Sequence, residues 1–291
     1  MNRVDVLLRT PAVALTSFDH PPGTTHQDPE HEVAACDSIN FVEDGSFSVR
    51  MQGERRRWKL DSGSVFVAAK GMGFTCTHDS HMPTDRCLSV VYDAQASEDL
   101  RRADVPVLRP PALRATERQR YLRHRLHSCG AGQEIRLELL AGALFETCAR
   151  SEATTHGCAG DLSRHARHVD RVLDLIEADF ARTLTLADLA RAAGMSPFHF
   201  ARAFRALTGL PPHRYLMAVR LRHALRLLRQ GAGVTFTCYE VGFGSLSHFI
   251  TSFGKRFGVT PSATRADAGW RELRASLASA IRPTIRHQIA R

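Results

Sequence analysis

The sequence predicts an α+β chain of two domains: a small β-barrel or sandwich followed by helices, then an all-α domain. Three observations carry this prediction. Apolar residues alternate with period two from Ser38 to Val91, a helical repeat of 49 residues occupies the last third, and the charge divides between these regions. The length of 291 residues suits two domains at roughly 100–200 residues each, enough chain to bury an apolar core unaided. Hydrophobic residues make up 43% and charged residues 24%, which excludes disordered and collagen-like classes.

The charge points to a partner. Residues 1–110 carry 12 Lys and Arg against 16 Asp and Glu, residues 111–160 carry 7 against 5, and residues 161–291 carry 20 against 9. An acidic front and a strongly basic back suggest a sensing or assembly module joined to one that binds a polyanion. Base content of the genome would explain why only three of the 39 basic residues are Lys, but not the asymmetry. No apolar run approaches the ~20 residues that span a bilayer. Asp5 and Arg9 interrupt the apolar N-terminal stretch, which argues against a secretory signal. Cysteines at 36, 76, 87, 129, 148, 158 and 238 form an odd set without a Cys-x-x-Cys pair, as expected of reduced thiols in the cytoplasm.

Strands are expected at Ile39–Val42, Phe47–Met51, Ser64–Val67 and Leu88–Tyr92. Between them lie turn clusters at Glu43-Asp44-Gly45, Gln52-Gly53-Glu54, Asp61-Ser62-Gly63 and Gly71-Met72-Gly73. Short strands at this spacing imply a small sandwich or barrel. Cys76, His78, His81 and Cys87 are ligand-type residues to which His20, His26 and His31 could add, but they match neither zinc-ribbon nor HExxH spacing. Loop histidines beside buried thiols are the better account of them, so no metal and no cofactor is expected. Nothing resembles a catalytic triad.

From Ala112 the period changes. Leu137, Leu140, Ala141, Leu144, Phe145 and Cys148 form one helical face, preceded by a weaker stripe through Tyr121, Leu122 and Leu126. These helices either cover the barrel or pair two protomers. Ser151 to Asp161 then has the composition of a linker.

The repeat follows. His199, Phe200, Phe204, Gly209 and Pro212 recur 49 residues on as His248, Phe249, Phe253, Gly258 and Pro261, while Gly194 recurs as Gly242 after 48. In the first copy, Thr185-Leu-Ala-Asp188 is a capping box opening a helix with Leu186, Leu189, Ala190 and Ala193 on its inner face. Gly194 supplies the positive φ of a tight turn, Ser196 caps a second helix and Pro197 takes its first position. Phe200, Phe204 and Leu207 face the core, leaving Phe198, Ala201, Arg202 and Arg205 on the opposite face. A second helix with an outward Arg stripe at its start is what major-groove readout requires.

These residues resemble the AraC/XylS family of bacterial transcription regulators. The match runs through Ala190-x3-Gly194-Met-Ser196-Pro197-x2-Phe200-x-Arg202-x-Phe204, Gly209-x2-Pro212 and Tyr215-Leu216-x3-Arg220-Leu221. It continues through Val241-Gly242-Phe243-Gly244-Ser245-x2-His248-Phe249-x3-Phe253 to Phe257-Gly258-Val259-Thr260-Pro261, about a third of the chain. The resemblance implies two helix-turn-helix units joined by a long helix, each placing its second helix in the major groove. Phe198, Ala201 and Arg202, with Arg205, would contact DNA from the first unit. Ser247, Ile250 and Thr251, with Lys255 and Arg256, would do so from the second. The front half is similar to the cupin-like sensor often attached in this family, through the Asp61-Ser-Gly-Ser64 turn and Asp85-Arg-Cys87-x4-Tyr92.

This chain also departs from the family pattern. Thr251 and Gly254 stand where the family usually has basic residues, so the second reader helix is weakly charged. Its partner helix, Val234-Thr-Phe-Thr-Cys-Tyr-Glu-Val241, is rich in residues that locally prefer a strand. Thr237 replaces an aliphatic core residue there, Phe236 a surface polar one, and Thr264 stands where Tyr is common.

The expected organisation is therefore a cupin-like sensor or assembly domain over 1–110, a helical connector and linker over 111–160, a DNA-binding domain over 169–267 and a basic tail over 268–291. The helix-turn-helix units fall at 186–207 and 234–257. The expected function is sequence-specific, non-enzymatic regulation of transcription. Duplex DNA is the main expected partner. RNA polymerase, a small-molecule effector and a second copy of the chain are further candidates, and a membrane is not. A metal-dependent cupin-type enzyme with a DNA-binding tail is the alternative, and a structural nucleoid binder without sequence preference is a third reading.

Overall fold

The computed structural model describes residues 3–20, 30–78, 85–102, 112–149 and 159–266. These fall into two compact units, one up to residue 157 and one from 158 to 275.

The first unit holds β1 (Arg3–Arg9), β2 (Val13–His20), β3 (Glu30–Val33), β4 (Asp37–Asp44), β5 (Ser46–Met51), β6 (Arg57–Asp61), β7 (Ser64–Ala68), β8 (Gly73–His78) and β9 (Asp85–Tyr92). Helix α1 (Ala94–Arg102), β10 (Ala112–Arg114), α2 (Glu117–His127) and α3 (Glu134–Ala149) complete it. Two sheets form, one of six strands in the order β1-β2-β9-β4-β7-β10 and one of four in the order β3-β8-β5-β6. Alternation sets the inner faces: Phe47, Val49 and Met51 of β5 enter a buried cluster with Leu60, Phe66, Phe74, Cys76 and Cys87. All four strands expected from the period-2 pattern are present. Strands β1, β2, β3, β6, β8 and β10 and helix α1 are additional. The run Val4-Asp-Val6-Leu7-Leu8 in β1 breaks simple alternation because its register shifts between Val6 and Leu8.

The turn between β6 and β7 is held by side chains. Ser64 Oγ donates to Asp61 Oδ1 at 2.9 Å, and Arg114 grips both carboxylate oxygens of Asp61 at 2.7 and 3.0 Å. Those hydrogen bonds, Ser64 first and then Arg114, hold the Asp61 carboxyl below its ordinary range. Gly63 has φ of 90°, a conformation that side chains rarely adopt.

Helix α3 packs on the six-stranded sheet of its own unit, and α2 packs on α3. Leu137, Leu140, Ala141, Leu144, Phe145 and Cys148 are all buried. The Tyr92 hydroxyl donates to the Ala141 carbonyl at 2.8 Å, and its ring meets Phe145 edge-on at 5.1 Å. Burial pushes the Cys148 thiol up to about 12. Asp93 caps α1, accepting from the Gln95 and Ala96 amides at 2.8 and 3.0 Å.

The second unit consists of α4 (Ala159–Asp179), α5 (Leu186–Ala192), α6 (Pro197–Thr208), α7 (Pro212–Arg229), α8 (Val234–Glu240), α9 (Leu246–Phe257) and α10 (Pro261–Ala266). Helix α4 starts at Ala159, so the last residues of the expected linker are helical, while 150–158 and the basic tail lie outside the described residues. Val169, Val172, Leu173 and Ile176 bury one stripe of α4. Helix α7 touches both halves of the unit. Tyr215 near its start meets Phe204 edge-on at 5.5 Å, while Leu221, Ala224 and Leu228 join a core with Cys238, Val241, Phe249 and Phe253.

Candidate nucleic-acid interface

Each candidate reader helix is placed by the same local chemistry. Thr185 and Asp188 form the expected capping box at the start of α5, and Leu189, Ala190 and Ala193 are buried. Leu186 is a correction to the expected inner face, being 45% exposed. As the first residue of a seven-residue helix it precedes the turn that packs. Gly194 turns the chain with φ of 64°. Ser196 Oγ then accepts from the His199 amide at 3.4 Å, Pro197 opens α6, and Gly209 ends it in the left-handed conformation.

The second copy repeats this. Gly242 turns with φ of 83°, Ser245 Oγ accepts from the His248 amide at 3.4 Å, and Gly258 ends α9 in the left-handed conformation. Helix α8 forms despite its strand-preferring residues. Thr237 and Cys238 are fully buried in the core, and that tertiary burial outweighs local propensity. Gly242 is required on a second ground: a Cβ there would stand 2.2 Å from the Ala181 carbonyl oxygen, which no side chain tolerates.

Burial then decides which side chains face out. Phe200 and Phe204 of α6 are fully buried, so Phe198, Arg202 and Arg205 are exposed and Ala201 is half-buried. Phe249 and Phe253 do the same for α9, turning out Ser247, Ile250, Thr251, Lys255 and Arg256. The nine residues expected from sequence thus lie off the buried stripe of each helix. Their chemistry is unequal. Helix α6 offers one guanidinium group in its middle and another in its last turn, whereas α9 offers two hydroxyls, the sec-butyl chain of Ile250 and two cations confined to its last turn. His199 and His248, which sequence reasoning used only as markers of the repeat, are also exposed, three residues before Arg202 and Thr251. Their recurrence at one spacing was the signal that could have singled them out.

The first unit gathers no comparable site from the metal candidates. Cys76 and Cys87 stand on different sheets and are taken up by the apolar core, where burial pushes the Cys87 thiol well up, away from the thiolate a metal needs. His78 Nε2 lies 3.7 Å from Asp85 Oδ1, and its ring packs 5.8 Å from Phe47. His81 lies outside the described residues. Among the described residues, no group of three or more His, Cys, Asp or Glu is placed to hold a metal ion.

Two helix pairs, each with a glycine turn and a Ser-capped second helix that buries two Phe rings, define the class of tandem helix-turn-helix domains. Comparison with known proteins places the chain within it. Residues 189–267 match the family described as helix-turn-helix domain. The HTH-type transcriptional regulator GlxA of Rhizobium meliloti is 37% identical over 99 residues, covering 34% of this chain and 31% of GlxA. The HTH-type transcriptional activator RhaS of Escherichia fergusonii is 30% identical over 147 residues, covering 50% of this chain and 52% of RhaS. A crystal structure described as a probable AraC family transcriptional regulator from Rhodopseudomonas palustris is 34% identical, covering 34% of this chain and 95% of that one with a TM-score of 0.33. The chain spans about a third of the length of the curated relatives it first matches. The second unit is an AraC-type helix-turn-helix domain.

Proposed function

We propose that this chain is a one-component regulator of transcription that binds duplex DNA in a sequence-specific way and catalyses no reaction. The carrying observation is the outward face of α6, where burial of Phe200 and Phe204 leaves Phe198, Arg202 and Arg205 exposed at a helix whose start is free of acidic residues. A helix so presented reads base edges in the major groove, and Arg202 donates bidentately to guanine O6 and N7. Helix α9 makes the second contact with Ser247, Ile250 and Thr251, while Lys255 and Arg256 bind phosphates. Helix α7, packed on both helix-turn-helix halves of the second unit, fixes their separation on the DNA. The first unit acts as a cupin-like sensor or assembly domain, supported by its two sheets and its apolar interior. The proposed site of action is the cytoplasm, where chromosomal DNA lies; among the described residues no helix is long and apolar enough to cross a membrane.

The test is direct binding of the full chain to duplex DNA against salt and against competitor sequences. The reading expects affinity that falls steeply with ionic strength through counterion release, and a preferred sequence that resists random competitor. Absence of binding at low salt would refute it, and binding without any sequence preference would favour a structural nucleoid binder.

A further inference from the structure

The first 110 residues are net acidic, with 12 basic against 16 acidic residues, yet they contain one dense cationic face. It lies on the hairpin of β5 and β6, at the edge of the four-stranded sheet. Between residues 50 and 59 stand Arg50, Arg55, Arg56, Arg57 and Lys59, with Glu54 as the single acid. All five cations are exposed, while Val49, Met51 and Leu60 of the same strands point into the core. The alternation of a half-buried sheet therefore puts Arg50 and Arg57 on the outer face.

Two features separate this face from ordinary edge protection. Arg50 and Arg57 are register partners, directly opposite across the two strands. Like charges in that position oppose folding, and one charged residue suffices to blunt an edge. Among the described residues none of Arg50, Arg55, Arg56 and Arg57 is held in an ion pair, and the guanidinium of Arg56 instead lies 3.6 Å over the Trp58 ring. That stack fixes one guanidinium on a half-buried platform beside the others. Four guanidinium groups that have no ion-pair partner among the described residues suit a row of phosphates, to which Arg donates in planar, bidentate fashion.

We propose that the outer face of the β5–β6 hairpin binds the phosphate backbone of duplex DNA, giving the first unit its own sequence-independent grip on the DNA. The proposal rests on the DNA-binding reading of the second unit. Once α6 and α9 engage, the hairpin meets DNA at the high effective concentration of a tethered site, so contacts that are individually weak add to affinity. Tethering favours this occupant over an anionic lipid surface, because the same chain holds the helix-turn-helix domain read above as binding DNA.

The experiment compares the full chain with its Arg50→Gln, Arg55→Gln, Arg56→Gln, Arg57→Gln variant on a random-sequence duplex of about 60 base pairs, measuring affinity against salt. Each phosphate contact contributes about 0.9 to the slope of log affinity on log salt, so the variant should lose about 3 to 4 from that slope and at least about tenfold in affinity near 0.1 M salt. Its preference among sequences should not change, since phosphate contacts weaken all sequences alike. An Arg55→Gln, Arg56→Gln pair, which leaves the strand residues intact, should lose about half as much slope and controls for misfolding. Equal slopes for wild type and both variants would overturn the proposal. So would a loss confined to vesicles of anionic phospholipid, which would assign the face to a membrane surface. Failure of the wild type itself to bind any duplex would instead sink the reading of the second unit.

Discussion

Arg202 and Thr251 occupy equivalent places in the repeat, three residues after an exposed His and between two buried Phe rings of their helices. A bidentate Arg–guanine contact is worth about 1–3 kcal/mol of discrimination, whereas Thr offers a methyl and a hydroxyl without charge. Arg202→Ala should therefore relax base preference in one half of the site and weaken specific binding by roughly tenfold or more. Thr251→Ala should do much less, and Thr251→Arg should raise affinity without restoring native preference. Affinities of these variants against every single-base change in the site check this, and a larger loss of preference for Thr251→Ala would contradict it. The two turn glycines differ in the same graded way. Gly194→Ala meets no neighbour within 4 Å and should cost about 1–2 kcal/mol for its left-handed backbone alone. Gly242→Ala adds the collision with the Ala181 carbonyl and should cost more. Urea unfolding of the two variants gives the comparison, and equal losses would refute the close approach.

At the scale of the element, α8 carries the most instructive conflict. Its sequence favours a strand, yet it is a helix because Thr237 and Cys238 are fully buried, Cys238 in a core with Val241, Phe249 and Phe253. The repeat and the glycine turn made that outcome legible, and the same repeat located the capped starts and the outward faces of α6 and α9. What the repeat could not reveal was Leu186, whose apolar character says nothing of its place one turn ahead of the packed segment. Nor did periodicity reveal β1, whose bulge breaks alternation, or α1, which is defined by the Asp93 cap rather than by an apolar stripe. The buried Thr237 leaves a mark of its own: its Oγ1 has no hydrogen-bond partner among the described residues. Burying an unpaired hydroxyl costs about 1–3 kcal/mol. Thr237→Val keeps the shape and removes the hydroxyl, so it should raise stability by about 1 kcal/mol. A thermal or denaturant midpoint that falls would mean that the hydroxyl is satisfied.

Across the whole second unit, the chain after α4 is tied to α7. Arg220 donates to the carbonyls of Phe180 and Arg182 at 2.7 and 2.8 Å, and the Phe180 ring stacks on His223 at 3.9 Å. Burial first, and then the charge of Arg226, lowers the His223 imidazole to about 4. The ordinary imidazole value of 6.5 applies once the chain unfolds, so between these values the unfolded state binds a proton that the folded state does not. Stability contributed by His223 is thus complete above pH of about 6.5 and falls as pH drops towards about 4. His223→Gln should flatten that part of the pH–stability profile, and an unchanged profile would count against the buried neutral imidazole. The central claim concerns the whole molecule: two helix-turn-helix units read one duplex with unequal strength. Selecting sequences from a random duplex pool with the full chain tests it most directly. The account predicts two enriched segments about one helical turn apart, one sharply specified with guanine opposite Arg202 and one loosely specified and rich in thymine. Recovery of no enriched sequence, or of two segments specified equally well, would contradict it.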